Sequence, residues 1–79
     1  MFAPCSFREI EVLGNFLKDG ADNETVARRM KPELSVETVR THMRRIYAKT
    51  AQATRAGLAL AVLRGEVTIV DPNGRAVRF

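Results

Sequence analysis

Residues 35–50 read SVETVRTHMRRIYAKT, and their spacing predicts one amphipathic helix with a basic outer face. Val36, Val39, Met43, Ile46 and Tyr47 follow one another at steps of three, four, three and one. Those steps stack them on one side of a helix of about 3.6 residues per turn. Ser35 stands just ahead of the apolar run, where a hydroxyl can accept an orphan amide hydrogen of the first turn. The other side carries Glu37, Arg40, Thr41, Arg44, Arg45 and Lys49. Arg40 and Arg44 are four residues apart with Thr41 between them, so all three project toward one partner. Such a helix fits a major groove, and it equally fits an ordinary solvated surface. The flanking sequence decides between the two.

Upstream, two shorter helices are expected. Ser6 with Glu9 three residues on makes a capping-box pattern. Phe7, Ile10, Val12, Leu13, Phe16 and Leu17 supply the apolar side, with Arg8, Glu9, Glu11 and Lys18 outward, over about residues 7–18. Asp19-Gly20 ends this helix, glycine being the natural left-handed cap. Asp22 or Asn23 caps a second helix over about 22–30, with Val26, Ala27 and Met30 as its short stripe. Lys31-Pro32 stops it, because the residue before proline is pushed out of helical geometry. Leu34 is expected to anchor the turn in the core. Residues 1–5 read as a loose arm.

Downstream, ATRAGLALAVLR at about 53–64 is a fourth helix, apolar on more than one face. The excess is expected to be buried either by a partner subunit or by the end of the chain. EVTIV at about 66–70 and RAVRF at about 75–79 flank Asp71-Pro72-Asn73-Gly74, a β-hairpin signal. A two-stranded hairpin does not stand alone, so it must pack on the helices or pair with another chain. Leu58, Val62, Leu63, Val67 and Ile69 are the candidate dimer residues. Residues 1–64 form one expected domain, and 65–79 an extension packed on it or on a partner subunit.

The charge is uneven. Residues 1–34 hold five Lys/Arg against six Asp/Glu, a net −1. Residues 35–55 hold five against one, a net +4, and residues 56–79 three against two, a net +1. A positive field concentrated on one helix attracts polyanions. One cysteine and one histidine, far apart, make neither a metal site nor a catalytic pair. Paired carboxylates in a cleft and a glycine-rich phosphate loop are also missing, so no cofactor, metal or enzymatic activity is expected. Cys5 fits a reducing cytoplasm. No apolar run reaches the ~18 residues that span a bilayer, and the first residues do not form a signal peptide.

The pattern is more specific than two helices and a turn. Ser6-x-Arg8-Glu9-x-Glu11-Val12-Leu13, Gly20-x-x-Asn23, Val26-Ala27-x-x-Met30 and Ser35-x-x-Thr38-Val39-Arg40-x-His42-x-x-x-Ile46-x-x-Lys49, followed by Arg55, resembles the LuxR/FixJ/GerE-type DNA-binding domain. Region 4 of sigma factors is similar in parts of both motifs. The resemblance covers about residues 5–64. It implies a mainly α, four-helix helix-turn-helix domain, to which the hairpin is added. The second helix is then the scaffold, the third the recognition helix, and the fourth a dimerisation surface. Arg40, Thr41 and Arg44 fall on the family's base-reading positions. Arginine's planar fork matches guanine O6 and N7, and threonine offers a methyl group and a hydroxyl.

Thr38, His42, Arg45 and Lys49 lie toward the flank and suit phosphate, with His42 expected to be either packed or phosphate-facing. Asn23 and Thr25 at the start of the scaffold helix suit phosphate or capping. Arg55 is expected either on phosphate or paired with Glu9 or Glu11, the pairing preferred. The expected function is a sequence-specific DNA-binding transcription regulator of a bacterium or phage, bound to duplex DNA as a homodimer. The initial Met and the hairpin favour a stand-alone regulator, controlled by its amount or by a partner, over a fragment preceded by a receiver or ligand-binding domain. The competing expectation is a protein-interaction module contacting RNA polymerase or a regulatory protein. Three departures from the family pattern stand out. The turn 31–34 is about two residues longer than usual, Thr25 replaces an acidic residue, and Thr50-Ala51-Gln52 replaces Leu-Gly-Val.

Overall fold

The computed structural model describes all 79 residues. Four helices, α1 (Phe7–Leu17), α2 (Asn23–Arg29), α3 (Val36–Thr50) and α4 (Arg55–Leu63), stand beside a three-stranded sheet of β1 (Phe2–Pro4), β2 (Thr68–Val70) and β3 (Ala76–Val77). The four expected helices are present, and each starts on the cap its sequence offers. Ser6, Asp22, Ser35 and Thr54 accept the amide hydrogens of Glu9, Thr25, Thr38 and Gly57. No helix is long and apolar enough to cross a membrane.

The opening of the chain differs from expectation. Residues 2–4 are not a loose arm but β1, paired parallel with β2 so that Ala3 lies opposite Ile69. The Cys5 amide donates to the Val70 carbonyl at 2.9 Å, and the Thr68 amide to Met1 at 2.8 Å. Hydropathy hid this strand, because only Ala3 of its three residues faces inward and three residues show no period. The hairpin is present in shorter form. β2 and β3 pair antiparallel over Ile69–Val77 and Val70–Ala76. Asp71 holds the turn, its carboxylate accepting from the Asn73 and Arg75 amides at 2.8 and 3.0 Å. The sheet is thus tied to the chain's own start.

One core joins helices and sheet. Val12, Leu13, Phe16, Val26, Met30, Val39, Met43 and Ile46 meet Leu58, Ala61, Val67 and Ile69 inside it. Burying a side chain such as Leu13 or Ile46 contributes about 1.5–3 kcal/mol. Leu58, Val67 and Ile69, expected at a dimer surface, are 0%, 4% and 0% exposed. Part of the excess apolar character of α4 is therefore buried in the chain's own core, through Leu58 and Ala61. Of the five dimer candidates, half-buried Val62 and exposed Leu63 reach the surface.

Candidate nucleic-acid interface

The helix-turn-helix is α2, a turn over residues 30–35, and α3. Met30 is buried and leaves the helical region with ψ 146°, which ends α2. The Leu34 amide donates back to the Ala27 carbonyl at 3.1 Å, closing the long turn onto the scaffold helix. Half-buried Leu34 packs against the core, as its place in the sequence predicts. Ser35 caps α3 through the Thr38 amide, and the two hydroxyls bond each other at 2.9 Å. Val39, Met43 and Ile46 are buried and Val36 is half-buried, so the inner side of α3 is the predicted one.

The outer side is exposed at Glu37, Thr38, Arg40, Thr41, Arg44 and Arg45. Arg40 donates to the Glu37 carboxylate one turn earlier. Both side chains are more than half exposed, so this pair contributes little to stability and opens readily. The Thr41 hydroxyl donates to the Glu37 carbonyl at 3.0 Å, which leaves its methyl group and an oxygen lone pair outward. Arg44 and Arg45 make no ion pair or side-chain hydrogen bond within the chain. Both keep their full donor forks for a partner.

Two flanking residues are set apart from the exposed ones, Lys49 by an internal partner and His42 by packing, which was one of the two expectations for it. Lys49 turns inward, and its Nζ donates to Glu9 Oε1 at 2.6 Å. Glu9, expected outward, is 2% exposed. The same oxygen accepts the Ser6 amide at 2.9 Å and completes the capping box of α1. Burial pushes the Glu9 carboxyl up, but hydrogen bonds and charge from Lys49 and Ser6 outweigh it and hold it below the usual range. The carboxylate therefore stays charged and ties the start of α1 to the last turn of α3. His42 is half-buried, and its Nδ1 is enclosed without a hydrogen-bond partner. Burial pushes its imidazolium pKa down. Nearby Glu9 opposes this, while Arg45 and Arg8 push it down further. His42 thus stands as a half-buried, packed side chain rather than an exposed cation.

Arg55 pairs with neither Glu9 nor Glu11. Its guanidinium donates to Asn23 Oδ1 at 2.8 Å and to the Ala21 carbonyl, and lies over the Phe16 ring at 4.3 Å. It clamps α4 to the loop between α1 and α2, as its expected pairing would have tied two helices. The Asn23 oxygen is engaged there, leaving its amide hydrogens, while Asp22 performs the capping. Thr25 is half-buried in the first turn of α2. Arg29 adds a bidentate pair to Asp19 at 2.9 and 2.7 Å, fixing the end of α2 against the end of α1.

After α3 the chain turns through Ala51, at φ 57° and ψ 33°. This left-handed conformation suits the glycine of the family pattern far better than alanine. No group of three or more His, Cys, Asp or Glu that could hold a metal ion is present. The sequence reading missed Glu9 as the anchor of α3. Its capping box was legible, but a partner 40 residues away has no local signal.

The geometry agrees with the comparisons. Residues 3–62 match the family described as "Bacterial regulatory proteins, luxR family". Over 51 residues the chain is 39% identical to a protein of Klebsiella aerogenes named "Monoamine regulon transcriptional regulator". That alignment covers 65% of this chain and 21% of the relative, so the chain spans about a fifth of the relative's length. No solved structure is a significant match. A scaffold helix, a recognition helix with an exposed arginine face, and a family match over most of the chain converge: the chain belongs to the luxR family of bacterial regulatory proteins.

Proposed function

We propose that this chain regulates transcription by binding a specific duplex DNA sequence, with α3 in the major groove and two copies on paired half-sites. The observation that carries the reading is the pair Arg44 and Arg45, exposed and free of internal partners on a helix whose opposite side is locked into the core. Arg40, Thr41 and Arg44 read base edges. Arg40 exchanges its Glu37 contact for guanine, a bidentate match worth about 1–3 kcal/mol of discrimination. Thr38 and Arg45 hold phosphates on the flank, with Thr25 and the Asn23 amide on the scaffold side. Lys49 and His42 serve the same face indirectly, one by fixing the end of the helix and the other by filling the space under it.

A single small domain with so few contacts binds weakly, and pairing adds contacts on a second half-site. Ala56, Leu60 and Leu63 are exposed on one side of α4, the spacing of a helix-pairing stripe, and support that contact. Selection from random duplexes followed by footprinting tests the proposal. The expected result is an inverted or direct repeat whose half-sites are centred about one helical turn apart. Enrichment of no sequence over bulk DNA would sink it.

A further inference from the structure

The C-terminal extension lies beyond the family match, which ends at residue 62, and it builds a surface feature with α4. A depression of about 450 Å³ opens between the end of α4 and the hairpin. Val62, Val67 and Val77 line it, with Leu63 and Phe79 at one side. Leu63 and Phe79 also line a second depression of about 240 Å³, shared with Gly14, Leu17 and Lys18 at the end of α1. The two depressions share Leu63 and Phe79 and together make one trough. Leu63 is 60% exposed and Phe79 44%, a high exposure for large apolar side chains placed together. The Phe79 ring lies close against Gly14, where an added Cβ would stand 3.5 Å from it.

The charged side chains of the trough all have one sign. Among side chains, Arg64 and Arg78 line the larger depression and Lys18 the smaller, and no Asp or Glu lines either; the α-carboxylate of Phe79 offsets part of this charge. Glu66 stands 4.0 Å from Arg64 on exposed ground and neutralises it only weakly. A second copy placed here would bring like charges together. Two adjoining depressions that share Leu63 and Phe79 and carry cationic side chains match a segment with two apolar anchors and acidic residues around them. A compact ligand would fill one depression and leave the other open.

We infer that the trough between α4, the hairpin and the end of α1 is a docking site for an acidic segment of a partner protein, carrying two apolar anchor residues. The site is separate from the DNA-facing side of α3. Leu63 is shared with the exposed stripe of α4 that the proposed pairing uses, whereas Val62, about 100° round the helix, belongs to the trough alone. Docking there gives a regulator a way to meet a second protein while its recognition helix stays free.

Fluorescence polarisation of the full chain tests this with two labelled probes. One is a short peptide of glutamates around a leucine and a phenylalanine; the other has lysines in place of the glutamates. The acidic probe is expected to bind at least tenfold more tightly, with an affinity that falls as salt rises. The double variant Arg64→Glu, Arg78→Glu is expected to reverse the preference, with thermal midpoint and footprint boundaries kept. Equal binding of both probes, or binding of neither, would overturn the inference. So would sedimentation showing that the trough is closed by a second copy, a dimer that this double variant dissociates while the probe stays unbound.

Discussion

Lys49 on the last turn of α3 donates to Glu9 on the first turn of α1 at 2.6 Å, and the carboxylate that receives it is 2% exposed. Removing the ammonium leaves a buried carboxylate with the Ser6 amide as its remaining strong donor. Lys49→Met is therefore expected to cost about 2 kcal/mol, less than a fully buried pair because the lysine is itself about one-third exposed. Glu9→Gln should cost less, since the amide oxygen still accepts from Ser6. Chemical denaturation of the two single variants and the double variant checks this. A coupling energy near zero in that cycle would contradict the tie between α1 and α3.

Acid should destabilise the fold in two steps. The His42 pKa is lowered on folding, so the unfolded chain binds the proton more readily. Its contribution is present above the unfolded value near 6.5 and is lost as pH falls below it. The Glu9 pKa is also lowered on folding. Its contribution is present above the unfolded value near 4.5 and is lost as pH falls through the lower folded value. Melting midpoints from pH 8 to about pH 3 should fall in both windows. His42→Gln should flatten the upper one and leave the lower one in place.

Ala51 holds a left-handed conformation at φ 57°. Glycine there carries no Cβ penalty, so Ala51→Gly is expected to stabilise the chain by about 1 kcal/mol despite the greater freedom glycine gives the unfolded state. A lower thermal midpoint would show that α3 ends in another geometry.

Arg45 flanks the reading face and has no internal partner. Arg45→Ala is expected to weaken specific and non-specific duplexes alike, and to reduce the salt dependence of binding by about one unit of slope. Lys49→Met should lower affinity without that change of slope, because its ammonium faces Glu9 rather than phosphate. Titrations at several salt concentrations separate the two.

Much of this arrangement was legible in the sequence. Caps and apolar steps placed the first three helices, since a Ser or Asp before a periodic run is a local signal with a local cause, and an apolar run placed α4. The outer face of α3 was legible for the same reason. Partners far apart along the chain were not. Glu9 and Lys49 each read as surface charges, because both sit among polar neighbours and only the packed helices bring them together. Arg55 was read as a helix-joining residue but assigned the wrong partners, since carboxylates looked more attractive than a carbonyl, an amide and an aromatic ring. The short strand β1 gave no period to read, and its pairing with β2 is what turned Val67 and Ile69 inward. With Leu58, Val67 and Ile69 buried, the exposed apolar residues of α4 are Ala56, Leu60 and Leu63.

The reading face itself is tested most directly by Arg44→Ala on the selected duplex, compared with the parent at equal salt. The account predicts a loss of about 1–3 kcal/mol on that duplex, with relaxed preference at one base pair and a near-uniform change elsewhere. A variant that binds the selected duplex as tightly and as selectively as the parent would contradict it.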